Sequence, residues 1–270
     1  MTGIEIIHPE KKPRGIRMAV FDFDGTVSTL RCGWERVMRP LMLECISGGR
    51  AEDAPDALKR EVDAYIDAST GIQTVFQMRW LRDRANEAGF GSPEKDEWWY
   101  KDEYNRRLME FIGGRIESVE RGRVSPESFL IKGSVEFLTA LRDAGAEVYL
   151  ASGTDHRDVA REAAVLGVLG LFTSVKGAPE RKAACSKEAV IRMLMEEKGV
   201  SGAQLLLCGD GKVEIRLGAE AGAVTLGAAT DEAARAGVNP VKRRRLIDAG
   251  ADAITGDFED TPGLMKYLGF

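Results

Sequence analysis

A chain of 270 residues, 44% hydrophobic and 30% charged with a net charge of −5, can bury one large core or a core plus an insertion. The acidic balance argues against general nucleic-acid binding, and no run approaches the roughly 18 apolar residues of a membrane span. Four scattered cysteines (Cys32, Cys45, Cys185, Cys208) lack C-x-x-C spacing and fit a reducing, cytoplasmic setting, and two histidines (His8, His156) leave little material for a histidine metal site or triad.

The first informative stretch is "MAVFDFDGTVS", Met18 to Ser28. It reads as a buried strand that ends in Asp22 and Asp24. Side chains alternate along a strand, so the two carboxylates share a side, about 7 Å apart. Two buried like charges need compensation, and a hard divalent cation with oxygen ligands supplies it. Gly25 permits a sharp turn there, and Thr26 adds a hydroxyl beside it.

Residues 31–123 read differently. "WERVMRPLMLECISG", "PDALKREVDAYIDAS", "IQTVFQMRWLRDRANEAG" and "EKDEWWYKDEYNRRLMEFIGG" have helical periodicity with no strand-like alternation. All four tryptophans (Trp34, Trp80, Trp98, Trp99) lie here and read as the core of a small helical domain. From about residue 130 helices alternate with short apolar strands, which predicts crossovers and a parallel sheet covered on both faces. Ligands bind such sheets at the carboxyl ends of strands, where strand order reverses.

Three later strand ends or helix starts carry reactive groups. Ser152 follows "EVYLA" and precedes a helix, where a hydroxyl and free amides suit an anion. Lys187 opens the helix "KEAVIRML" behind Ser186 as its N-cap, against the helix dipole, which points to a role beyond the helix. Asp210 ends "LLLCGD", and Glu214 shares its side four residues on, a second acidic pair suited to a metal. "GDGK" lacks the remaining residues of a P-loop. The run Lys242 to Arg245, "KRRR", reads as a solvated helix face.

Together these residues resemble the haloacid dehalogenase-like hydrolase superfamily. "DFDGT" matches its first motif, Ser152 its second, Lys187 its third and "GDGKVEI" its fourth. The resemblance implies an α/β fold: a Rossmann-like parallel-sheet core (1–30 and 124–270) with an all-helical C1-type cap (31–123) inserted after the first strand. It implies Asp22 as nucleophile, Asp24 as general acid and base, and Mg2+ held by Asp22, Asp24 through its carbonyl, Asp210 and Glu214. Phosphate would be held by Gly25, Thr26, Ser152, Gly153 and Lys187. Two departures stand out. Glu214 occupies a position where Asp is commoner, and Lys176 and Lys182 compete with Lys187, which has the better spacing to Asp210.

Because dehalogenases lack the second aspartate, Asp24 favours phosphoryl transfer. The expected function is a Mg2+-dependent phosphatase acting on a small phosphorylated metabolite, with no nucleic-acid or membrane partner. A phosphosugar mutase using the same residues is the alternative, and a non-catalytic phospho-ligand binder a more distant one. Arg31, in the linker into the helical segment, is a candidate substrate contact, with a surface arginine as the plainer reading.

Overall fold

Among the described residues, seven strands form one sheet in the order β1-β7-β6-β5-β2-β3-β4. The computed structural model describes residues 3–270 apart from 12, 14 and 184–186. Ser186, expected as an N-cap, therefore lies outside the described residues. In chain order the elements open with β1 (Glu5–Ile6) and β2 (Met18–Phe21). Four helices follow: α1 (Glu35–Ser47), α2 (Asp56–Ala68), α3 (Thr74–Glu87) and α4 (Glu97–Glu120). The alternating part contains α5 (Ser134–Asp143), β3 (Glu147–Asp155), α6 (His156–Val165), β4 (Ser174–Ala178), α7 (Lys187–Lys198) and β5 (Leu205–Gly209). It ends with α8 (Lys212–Glu220), β6 (Val224–Ala228), α9 (Pro240–Asp248), β7 (Ala253–Thr255) and α10 (Thr261–Leu268).

The sheet is parallel, as the alternation predicts, except that β1 pairs antiparallel with β7. β1 was not foreseen, since two residues are too few to show a period. The inner strands are buried on both faces because each face meets helices. Met18 and Val20 pack with Val190, Ile191 and Leu194 of α7, while Ala19 and Phe21 face Phe137 of α5 and Phe258. β5 alternates likewise: Leu205 and Leu207 join the first cluster, Leu206 and Cys208 the second. Each large side chain buried this way contributes about 1.5–3 kcal/mol.

The chain leaves β2, builds β3 and β4 on one side, and returns to β5 on the other. Strand order therefore reverses at β2, and the crevice opens at its carboxyl end, where Asp22 and Asp24 sit.

α1 to α4 pack on one another through Met38, Leu41, Val62, Met78, Leu81, Tyr100 and Leu108, and Phe23, Val27 and Leu30 join them to the sheet's core. Trp34 and Trp80 pack against this core, as expected of the tryptophans, but as partly buried side chains at its margin. Trp80 stacks on Tyr65 at 3.8 Å and is only partly buried, Trp99 is exposed, and Trp34 lines a cavity. Indoles are large and rarely bury completely, so the centre is aliphatic with Tyr100. Among the described residues no helix is long and apolar enough to cross a membrane. Cys32, Cys45 and Cys208 are free thiols.

Candidate active site

The backbone after β2 turns sharply. Val27 and Ser28 N–H both donate to Phe23 O, and Gly25 N–H donates to Ser28 O at 2.8 Å. Gly25 has φ +75°, and a Cβ there would lie 2.2 Å from Asp210 Oδ2. The close approach of two acidic loops thus depends on a residue without a side chain. Gly25→Ala is expected to displace Asp210 and lower activity by about 10²-fold with the fold retained, read by steady-state rates beside circular dichroism. The Gly25 N–H, already bonded to Ser28, is not free to hold an anion. Thr26 is wholly buried, its hydroxyl has no hydrogen-bond partner among the described residues, and it does not line the cavity described below.

Four charged side chains from three distant stretches meet beside this turn. Lys187 Nζ lies 2.9 Å from Asp22 Oδ1 and 3.1 Å from Glu214 Oε2. Glu214 Oε1 accepts from Gly211 N–H at 2.7 Å, which fixes the start of α8 as half a capping box. Ligand oxygens of Asp22, Asp210 and Glu214 lie within 4.8 Å of one another, and all three residues are buried. An oxygen-only donor set of this size suits Mg2+. Lys182 is exposed and Lys176 half-buried, so of the three candidate lysines Lys187 is the one on Asp22. It is not the solvated lysine that a helix start would suggest, because two carboxylates outweigh its burial and hold its ammonium above the ordinary range.

Burial pushes the Asp22 carboxyl up to about 8, against the pull of Lys187. Asp24 is pushed up to about 7, again by burial, with Arg31 opposing. Asp24 Oδ2 accepts from Thr154 Oγ1 at 2.9 Å, and its Oδ1 is buried without a hydrogen-bond partner. Arg31 Nε stands 3.9 Å from that oxygen. Arg31 is no surface arginine: it is 8% exposed and donates to both oxygens of Glu162 through Nε at 3.1 Å, with a further bond from Nη2 at 2.6 Å. Ser152 was expected at a helix N-terminus. Instead β3 continues to Asp155 through a register irregularity, and Ser152 Oγ accepts from Thr154 N–H at 3.1 Å.

The "KRRR" run is likewise not a solvated face throughout. Asn239 caps α9 by accepting from Val241 and Lys242 N–H. That start turns two of the four basic side chains inward. Lys242 Nζ bonds Asp210 Oδ2 at 2.7 Å and Glu232 Oε1 at 2.6 Å, and Arg245 donates to the Asp210 carbonyl at 3.1 Å. Arg244 remains exposed. No sequence signal marked Lys242, and Thr154 was hidden because β3 runs on past Ser152, where the sequence suggested a helix start.

A cavity of about 100 Å³ lies over these groups, lined by Asp22, Asp24, Ser152, Gly153, Lys187 and Asp210. Its other wall comes from α1–α4 and their connections, with Trp34, Thr70, Gly71, Ile72, Gln77 and Tyr104. Buried Lys101 of α4 fastens this wall to the sheet, bonding Asp155 at 2.6 and 2.5 Å. Gln73 adds a bond to the Lys182 carbonyl at 3.0 Å. The structure therefore brings Asp22, Asp24, Gly25, Ser152, Gly153, Lys187 and Asp210 to one cavity, with Glu214 just behind Lys187.

A family model described as haloacid dehalogenase-like hydrolase matches residues 16–222. No curated protein matches the chain. Among solved structures it is similar to a predicted phosphoglycolate phosphatase from Haemophilus somnus 129pt (19% identity, 93% of this chain and 99% of that one, TM-score 0.60). It is also similar to a predicted phosphatase from Clostridium acetobutylicum (15% identity, 94% and 100%, TM-score 0.62). A β-phosphoglucomutase from Clostridium difficile matches at 12% identity over 94% of this chain and 97% of that one, with TM-score 0.63. At these identities the likeness is one of fold.

Proposed function

The chain belongs to the haloacid dehalogenase-like hydrolase family, and from that premise we propose that it is a Mg2+-dependent phosphatase of small phosphomonoesters. The observation that carries this reading is the meeting of Asp22, Lys187, Asp210 and Glu214 beside Asp24 at one cavity. In this reading residues 31–123 are a cap closed over the core, and the Lys101–Asp155 bond is one of its fastenings.

Asp22 is the nucleophile. Its oxygen attacks phosphorus, the bond to the leaving-group oxygen breaks, and that oxygen takes its proton from Asp24. A protonation midpoint near 7 for Asp24 suits a group that gives a proton and later takes one. In the second step Asp24 accepts a proton from water as the water attacks the aspartyl-phosphate, and Asp22 and phosphate are released. Lys187 holds the Asp22 carboxylate in line, and Ser152 offers its hydroxyl to the phosphoryl oxygens. Mg2+, bound by Asp22, Asp210 and the Asp24 carbonyl, would neutralise charge on the phosphoryl group. Glu214, whose oxygens also accept from Lys187 and from Gly211 N–H, would assist directly or through water.

Purified protein given p-nitrophenyl phosphate and a panel of phosphomonoesters should release phosphate with Mg2+ and not with chelator. Isomerisation of a sugar 1-phosphate without release would select the mutase.

Stability should report the metal independently. Asp22 and Asp24 have folded midpoints above the 3.8 of a free carboxyl. Their contribution is therefore complete below about pH 4 and lost as pH rises through about 7 to 8. The metal-free protein should melt several degrees lower at about pH 8.5 than at about pH 6. Mg2+ would bind the ionised Asp22 carboxylate, so its stabilising increment should be larger at the higher pH. Equal increments in thermal melts at both pH values would remove Asp22 from the metal site.

A further inference from the structure

We propose that the site selects phosphomonoesters whose leaving group is short and carries no negative charge, a neutral or cationic alcohol. This rests on the phosphatase reading above and concerns what lies beyond the phosphoryl group.

Four carboxylates (Asp22, Asp24, Asp210, Glu232) and two cations (Arg31, Lys187) line the cavity. Both cations are committed. Lys187 holds Asp22 and Glu214. Arg31 is spent on Glu162, with Asp158 a further 3.7 Å from its Nη2. The next cations outward are also held, Lys242 by Asp210 and Glu232, and Lys101 by Asp155. Among the described residues, then, the cavity presents no uncommitted cation to the leaving group.

The rest of the lining is neutral or acidic: the rings of Trp34 and Tyr104, the polar groups of Thr70, Thr74 and Gln77, and Glu232, which Lys242 shares with Asp210. A leaving-group carboxylate here would exchange its hydration for no ion pair and stand among like charges, which is how a site rejects an isostere. A hydroxyl finds donors and acceptors, and an ammonium finds Glu232 and aromatic rings. Size adds a second limit. About 100 Å³ is well below the ~300 Å³ at which ordinary small-molecule sites begin, so the site favours a short leaving group.

Matched esters test this at saturating Mg2+. Glycerol 3-phosphate and 3-phosphoglycerate differ by a hydroxymethyl against a carboxylate, and phosphoethanolamine and phosphoglycolate by an aminomethyl against a carboxylate. The uncharged or cationic member of each pair should have the higher kcat/KM, by about tenfold or more. Glu232→Gln should narrow both ratios, a change that mere loss of folded protein cannot produce. Equal or higher kcat/KM for 3-phosphoglycerate or phosphoglycolate overturns the inference while leaving a phosphatase. Failure of all four esters and of p-nitrophenyl phosphate overturns the phosphatase reading itself, and this inference with it.

Discussion

Asp22→Asn should lower turnover by about 10³-fold or more while the protein stays folded. The carboxamide presents the same shape to Lys187 but cannot form the aspartyl-phosphate at a useful rate. The fold should tolerate the change because the wild-type carboxylate is itself poorly placed for stability. Burial raises its midpoint to about 8, so in the metal-free protein its ionisation works against the folded state. A neutral amide removes that opposition. It also weakens the 2.9 Å contact with Lys187, but Glu214 still holds the lysine at 3.1 Å. The two effects oppose, and the metal-free melting temperature at about pH 8 should move by no more than a few degrees. Mg2+ should then stabilise the variant less than wild type, because one ionised ligand has gone. Acid-quenched wild type should carry phosphate on protein during turnover, and the variant should not. Turnover within tenfold of wild type would remove Asp22 as nucleophile.

The sequence was legible where chemistry contradicts local physics. Two aspartates at the end of an apolar strand, a lysine opening a helix and an acidic pair after "LLLC" each violate a packing or dipole preference, and all of these side chains meet at one place. The parallel sheet was legible because buried strands between amphipathic helices leave few other architectures. What could not be read was the second layer of charge. Arg31 and Glu162 are 131 residues apart, and Lys242 and Asp210 are 32 apart. Apart from Asp210, each looks like an ordinary surface residue on its own helix or linker. Only the tertiary arrangement buries them, and burial is what turns a solvated charge into a partner that must be found. Trp34 packs against the core, as its helical setting suggested, and also lines the cavity, a second role that the sequence did not show.

Lys187→Met should reveal the size of that charge problem. The ammonium is the counter-ion shared by two buried carboxylates, Asp22 and Glu214. Replacing it with an apolar chain of similar length leaves both buried acids without their counter-ion. Breaking a buried pair in this way costs about 3–5 kcal/mol, so the metal-free variant should melt well below wild type. The deficit should be largest at high pH, because Asp22 must be protonated to relieve it. Mg2+ should recover part of the loss, and should bind the variant more tightly than wild type, since the cation that competes for the same carboxylates is gone. Turnover should nonetheless fall by about 10²- to 10³-fold with metal bound, because the oxygen of the proposed nucleophile Asp22 would no longer be held in line. Stability and activity would thus part: metal repairs the first and not the second. If Mg2+ restored both, Lys187 would be a structural counter-ion only. If it restored neither and weakened metal binding as well, the lysine would be holding the three carboxylates in their metal-binding arrangement.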